Sequence, residues 1–322
     1  MKIIITGASG FLGSWACRIL SEKYEILALT REESDLFRLQ GIDTIAILSL
    51  KTEEWPKQII EFNPDVVLLL NWKGVANKDR NSIDQFENID LHSNLINASI
   101  HSGVSKVIGF GSQAELGPVA NLIHDDAIDA PTTAYGRAKV ECRNIGFQLT
   151  ENTRTEFTWG RIISTYGPLD SDIWLIPSAI LSMMQNQKFN STLGEQKWSF
   201  LHAYDFAKAV EYLISAPTDN KIFNIGNPEV VQIRRVLDLI QDKLGKKDLI
   251  NFGALNYRED QVMRLEPLCE GLMKLGWKPK ISISAGLDQT ISWYLGEQAS
   301  DLQLDYGEVF KTTLPRRRES FE

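Results

Sequence analysis

Lys2-Ile3-Ile4-Ile5-Thr6-Gly7-Ala8-Ser9-Gly10-Phe11-Leu12-Gly13 decides the fold. A short, almost unbroken apolar run suits a strand buried on both faces. Glycines 7, 10 and 13 follow it three apart, before a helical stretch with apolar Trp15, Ala16, Ile19 and Leu20. At such a junction the backbone turns sharply, approaches a pyrophosphate and lets helix pack on strand, and each task favours a residue without Cβ. The helix N-terminus adds free N–H groups and a positive dipole end. Gly7, Ser9, Gly10, Phe11, Leu12 and Gly13 are therefore expected to hold a dinucleotide.

Outward from this turn, strand and helix alternate. Tyr24 to Leu29, Ile45 to Leu48, Asp65 to Leu70 and Lys106 to Phe110 read as strands. Helices are expected near Glu53 to Glu61, Phe86 to Ser102 and Tyr135 to Thr150. Strands separated by helices of this length imply an α/β fold with a Rossmann-type, doubly wound parallel sheet. Leu70, closing the fourth strand, is placed with the cofactor residues. The second strand ends in Leu29-Thr30-Arg31, where an NAD site usually carries an acid for the ribose hydroxyls. A guanidinium there can pair with a 2′-phosphate, so Thr30 and Arg31 favour NADP(H). NAD(H) stays open through Glu32 or Glu33.

Ser112 follows the strand Lys106 to Phe110, at the sheet edge where ligands bind in such folds. Its hydroxyl can donate to a substrate carbonyl and steady a developing alkoxide. In Ala134-Tyr135-Gly136-Arg137-Ala138-Lys139, a tyrosine and a lysine four apart share one helix face. The ammonium is expected to lower the phenol's pKa, which would fit Tyr135 to pass a proton to a sugar or alcohol oxygen. Ser112, Tyr135 and Lys139 are the expected catalytic set, with Lys139 also holding the nicotinamide ribose.

Composition agrees with a globular enzyme. The 322 residues suffice for one large or two modest domains, and 43% hydrophobic with 24% charged residues is ordinary. A net charge of -8 argues against a nucleic-acid partner. Cys17, Cys142 and Cys269 show no metal-ligand spacing and read as reduced, buried thiols of a cytoplasmic protein, with no metal site. No apolar run approaches a membrane span.

These residues resemble the extended short-chain dehydrogenase/reductase family, which holds the sugar-nucleotide epimerases, 4,6-dehydratases and 4-ketoreductases. The resemblance is carried by the glycine turn, Tyr135 to Lys139, Arg161 through Pro168, Phe223-Asn224-Ile225-Gly226-Asn227 and Leu275-Gly276-Trp277-Lys278-Pro279. It implies a smaller C-terminal α+β domain gripping a nucleoside-diphosphate sugar. The cofactor domain would then take 1–167 and about 200–227, the substrate domain about 168–199 and 228–310, and 311–322, with the basic cluster Pro315 to Arg318, would be a flexible tail. A homodimer pairing the helices at Phe86 to Ser102 and Tyr135 to Thr150 is also implied.

Within the family, 4,6-dehydratases carry an Asp-Glu pair directly after the Ser/Thr, where this chain has Gln113 and Ala114, so dehydration is not expected. Ketoreductases and epimerases share the Ser-Tyr-Lys set. Asn251 to Leu255, followed by Arg258, look most like 4-keto-6-deoxyhexose reductases of the CDP-abequose synthase type. By the same likeness Ser112, Gln113, Trp198 and Arg258 are the substrate contacts, Arg258 on the pyrophosphate. Trp198 stands where many relatives have a second phosphate arginine, with Lys197 beside it. Ser164 replaces an asparagine common in epimerases, and Trp72 and Lys73 line the cleft or pack beside it.

Overall fold

The structure, a computed structural model, describes residues 1–42, 45–49, 55–119, 122–216, 222–258, 261–296, 301–303, 309–311 and 314–315. Six strands arise in the first half: β1 (Lys2–Thr6), β2 (Glu25–Thr30), β3 (Ile45–Ser49), β4 (Val66–Leu69), β5 (Lys106–Ser112) and β6 (Glu156–Ile162). With Ile222–Ile225 they form one parallel sheet, ordered Ile222–Ile225, β6, β5, β4, β1, β2, β3. The chain therefore reverses direction across the sheet between β1 and β4. Crevices at such a reversal, outside the carboxyl ends of the strands, are where open α/β sheets bind ligands.

Period-two alternation places the core on both faces. Ile3, Ile5, Ala28, Leu68, Ile108 and Phe110 face α1 (Phe11–Leu20) and α6 (Ala203–Ser215), whose Ala16, Leu20, Phe206 and Val210 are fully buried against them. The alternate residues Ile4, Leu29, Val67, Val107 and Trp159 face α2 (Trp55–Phe62), α3 (Glu87–His101) and α4 (Ala134–Thr150). A sheet covered on both faces is what the continuous apolar strands demanded.

A second core gathers Tyr166, Ile176, Ile180, Phe200, Leu237 and Trp293, built largely from α5 (Leu175–Met184), α7 (Ile233–Lys243) and α8 (Ile283–Tyr294). Short strands flank it: Lys197–Ser199 pairs with Val230–Gln232 and Arg264–Leu265, and Phe189–Ser191 with Ile250–Phe252. This is the smaller C-terminal α+β part. Buried Asp205 on α6 joins the two cores, accepting from Lys280 N and Ile281 N at 2.9 Å each. Trp277 Nε1 donates to the Asp205 carbonyl at 3.2 Å, which accounts for Leu275-Gly276-Trp277-Lys278-Pro279 as an anchor.

Several sequence readings shift. Strand β5 runs on to Ser112, two residues past the expected end, and β2 takes in Thr30. The start of the helix expected from Glu53 lies outside the described residues. The expected tail from 311 is not free throughout: Val309–Lys311 pairs with Asp301–Gln303, and Pro315 is buried with its carbonyl accepting from Trp293 Nε1 at 2.8 Å. An indole buried in a core needs an acceptor, and here the chain end provides it. Arg316 to Arg318 lie outside the described residues. No helix among the described residues is long and apolar enough to cross a membrane.

Candidate active site

The glycine turn is shaped by close contacts. Gly7 adopts φ +66°, and a Cβ there would sit 2.7 Å from Asn71 N; one on Gly13 would sit 2.2 Å from the Gly7 carbonyl. Gly10 caps α1 without a side chain, and the first turn carries no acid, so the leading N–H groups are open to an anion. Above the turn lies a cavity of about 1060 Å³ between the sheet edge and the C-terminal core. Gly7, Ser9, Gly10, Phe11, Leu12 and Gly13 line one end of it, with Thr30, Arg31 and Leu70. Ser112, Gln113, Tyr135 and Lys139 line it beyond, and Trp198 and Ser164 come from the C-terminal side. The open helix end, the glycine cradle and the length of the cavity fit a dinucleotide. Arg31 and Glu33 both reach the cavity, paired at 3.6 Å and solvent-exposed, so a cation and an acid share the end of β2.

The reactive end is held by its backbone. Ser112 ends β5 and caps a single 3-10 turn, Gln113–Leu116. Its hydroxyl accepts from Ala114 N at 3.3 Å, and Ser112 lines the same cavity as Tyr135. The start of α4 is tied down by Ala134 N to Asn81 Oδ1 (3.3 Å), Tyr135 N to the Arg80 carbonyl (2.9 Å) and Gly136 N to Thr133 Oγ1 (3.1 Å). Gly136 brings that helix against the Ser112 turn, since a Cβ there would lie 2.2 Å from the Ala114 carbonyl. Lys139 is buried, donates to the Phe110 carbonyl at 2.8 Å and lies 3.6 Å over the Trp72 ring. Trp72 is fixed by Nε1 to Gln85 Oε1 (2.8 Å) and stands edge-on to Tyr135 at 5.7 Å.

The expected lowering of the Tyr135 phenol is not what the site shows: its pKa is raised. Lys139 Nζ lies 5.9 Å from the phenol ring centre, between the Phe110 carbonyl and the Trp72 face. Burial raises the Tyr135 phenol; the Ser112 hydrogen bond and then the Arg80 charge oppose it, and the Glu115 charge adds to it. Burial also pulls Lys139 from 10.5 down to about 7. His92, edge-on behind Trp72, is pushed down to about 3 by burial and stays neutral.

The residue that sequence reasoning passed over is Glu115. It has no exposed surface, yet carries a carboxylate inside the sheet layer. Its Oε1 accepts from Ser112 N (2.7 Å) and Trp159 Nε1 (3.1 Å), and its Oε2 from Arg143 (3.2 Å) and Arg161 (3.4 Å). Asp129 pairs with both arginines, so two acids and two bases balance. Arg161 goes on to Asn224 Oδ1 at 3.1 Å, which ties two of the sequence landmarks together. A capping-box spacing from Ser112 to Glu115 was the available signal. Arg80 was also missed, because a loop position carries no periodic pattern; it lines the cavity beside Tyr135. Arg258 and Lys197 are exposed and do not line the cavity; Gln261, three residues beyond Arg258, does. Lys73 lines it but is paired with Glu87 at 2.7 Å.

Residues 3–226 match the model of the NAD dependent epimerase/dehydratase family. GDP-L-fucose synthase 1 of Arabidopsis thaliana is 24% identical over 318 residues, covering 91% of this chain and 93% of its own length. CDP-abequose synthase of Salmonella muenchen is 25% identical over 134 residues, 41% of this chain and 46% of its own. Among solved structures, a UDP-N-acetylglucosamine 4-epimerase from Methanobrevibacter ruminantium M1, in complex with UDP-N-acetylmuramic acid, superposes with a TM-score of 0.83 at 19% identity, over 91% of this chain and 98% of that one. That likeness is one of fold.

Two outcomes follow from the site's charges. Glu115→Ala leaves Arg143 and Arg161 one partner short in a buried layer, so chemical denaturation should show a loss of about 3–5 kcal/mol. Lys139 is disfavoured as a cation in the fold, so its cost is full below about pH 7 and fades as the pH rises toward 10.5. Lys139→Met should therefore raise the melting temperature more at pH 6 than at pH 9, and a uniform decrease would contradict the assignment.

Proposed function

The chain belongs to the NAD dependent epimerase/dehydratase family, and on that premise we propose that it reduces the 4-keto group of a nucleoside-diphosphate 4-keto-6-deoxyhexose, with NADP(H) favoured over NAD(H). The carrying observation is that Ser112, Tyr135 and Lys139 line one cavity with the glycine turn. The dinucleotide, when bound, supplies the hydride. Gly7 to Gly13 and the open end of α1 hold its pyrophosphate, Thr30 and Arg31 its adenosine ribose, and Lys139 its nicotinamide ribose. Ser112 donates to the carbonyl oxygen of the sugar. Tyr135 gives its phenolic proton to that oxygen as negative charge builds on it.

Reduction is favoured over dehydration by what surrounds Ser112. Gln113 faces the cavity, Ala114 is a methyl, and the nearest carboxylate, Glu115, is turned away into its arginines. Among the described residues, no acid directly follows Ser112 to expel a hydroxyl. The wall opposite is aromatic: Trp198, with Nε1 donating to Ser164 Oγ at 3.2 Å, presents an indole rather than an arginine. This suits stacking on a base or sugar ring. The alternative is an epimerase of the same substrate class. It would use the same three residues with NAD retained between turnovers, and the acid of Glu33 at the end of β2 is the observation that favours it.

Cofactor content separates the two. Protein purified empty, which binds NADPH and turns over CDP- or dTDP-linked 4-keto-6-deoxy sugars, supports the reductase; protein carrying NAD through purification overturns it. Tyr135→Phe should cost roughly a hundredfold or more in turnover while leaving NADPH binding intact. Arg31→Ala should weaken NADPH about tenfold or more, the worth of a charge-assisted bond, and leave NADH unchanged.

A further inference from the structure

Trp72 lines the cavity from the loop after β4, half-buried, and the Lys139 ammonium stands on its ring, with Nζ 3.6 Å from the ring centre. A lysine that merely packed on an indole would lay its methylenes on the ring and send its charge to water. Here Lys139 is buried and its charged end sits on the face. The same indole stands edge-on to Tyr135 at 5.7 Å and to His92 at 5.4 Å, so one ring meets both reactive side chains of α4.

The ring is held in place. Its Nε1 donates to Gln85 Oε1 at 2.8 Å, and Gln85 Nε2 donates onward to the Gly74 and Asp79 carbonyls at 2.6 and 2.9 Å. Asn88 brackets the next residue, accepting from Lys73 N at 2.8 Å and donating to the Lys73 carbonyl at 3.2 Å. The face is therefore in position before any ligand arrives. A buried ammonium is costly unless it is paired. The Glu115 carboxylate on the neighbouring turn is taken by Arg143 and Arg161, and among the described residues no carboxylate pairs with Lys139. Its hydrogen bond goes to the Phe110 carbonyl at 2.8 Å, which leaves further N–H donors for a ligand. An aromatic face attracts the cation without claiming those donors as a carboxylate does.

We propose that Trp72 is the positioning residue of Lys139, its ring face standing in for a counter-charge that keeps the ammonium charged and turned toward the nicotinamide ribose. This deepens the reading of Lys139 as the residue that holds that ribose, and rests on it. Burial pulls Lys139 down to about 7, so loss of the face is felt near neutral pH. The other groups facing the ammonium keep their charge there. On α4, burial raises Tyr135 and pushes Cys142 up to about 12, and on α3 it pushes His92 down to about 3. Glu115 stays in its arginine pairs, and β5 presents only the Phe110 carbonyl. Asp170, raised to about 7 elsewhere in the cavity, is common to every protein compared and cancels.

The test is a double-mutant cycle that needs neither cofactor nor substrate. Chemical denaturation of the wild type, Trp72→Leu, Lys139→Met and the double variant, at pH 6 and pH 9, reads the coupling of ring and ammonium. The face raises the folded-state pKa of Lys139, so the coupling is present below that pKa and lost above it. It should be about fivefold in the unfolding constant at pH 6 and fade to none at pH 9, where Lys139 is neutral in the fold. Equal coupling at both pH values makes Trp72 a packing partner alone and overturns the proposal, as does no coupling at either. Fluorinated tryptophans placed at position 72 keep the shape and the Nε1 donor while draining the ring face. The midpoint of the Lys139-dependent fall in NADPH affinity with pH should step down with each fluorine, by about one pH unit over the series. An unmoved midpoint overturns the assignment. NADPH binding indifferent to Lys139→Met would overturn the ribose reading and this proposal together, whereas a flat cycle overturns this proposal alone.

Discussion

The structure turns on the buried carboxylate of Glu115. A charge with no exposed surface is tolerable only where every lone pair is met and the net charge cancels. Here Ser112 N, Trp159, Arg143 and Arg161 meet the oxygens, and Asp129 balances the second arginine. The consequence is positional. Ser112 is fixed from beneath through its own N–H, so its hydroxyl faces the cavity and Tyr135 rather than rotating with a mobile strand end. The same cluster reaches β6 through Arg161, then Ile222–Ile225 through Asn224, so the sheet edge beside the site is braced by polar bonds as well as by packing.

Around that anchor, the cavity draws its chemistry from three separated stretches. The turn after β1 offers main-chain donors, the end of β5 and the start of α4 bring two hydroxyls together, and the loop after β4 adds Trp72 and Arg80. Backbone bonds tie the last two, so the phenol, the serine and the guanidinium form one rigid unit. Preorganisation of this kind is what electrostatic catalysis requires, since donors already in place need no reorientation as charge develops. Lys139 illustrates the cost. Its ammonium is buried against an indole and a carbonyl with its pKa pulled to about 7, an arrangement that serves a ligand better than it serves the fold.

Much of the architecture could be read without coordinates because it follows from short-range pattern. Continuous apolar strands alternating with amphipathic helices leave few ways to bury both sheet faces, and Lys2–Thr6 followed by three spaced glycines allows hardly any other local structure. Boundaries drifted where tertiary pairing overrode local signals, as when β5 ran on to Ser112 to pair with Ile162. Spacing along the chain does not say what holds a side chain in place. Lys139 is one turn from Tyr135 yet is held by groups from β5 and the loop after β4. Arg258, placed by likeness alone, is exposed, and the end of the chain is partly pinned under Trp293.

The sequence by itself determined the fold class, the turn on the first helix and the presence of a serine, a tyrosine and a lysine suited to proton transfer, because spacing along a helix or strand sets which face a residue occupies. Only the tertiary structure decided which charges stand near the phenol and what steadies the serine. Those depend on distances between segments far apart in the chain: Arg80 to Tyr135, and Glu115 to Arg143 and Arg161. Coulomb and hydrogen-bond energies fall off steeply with distance and with access to water, and no one-dimensional pattern encodes either quantity.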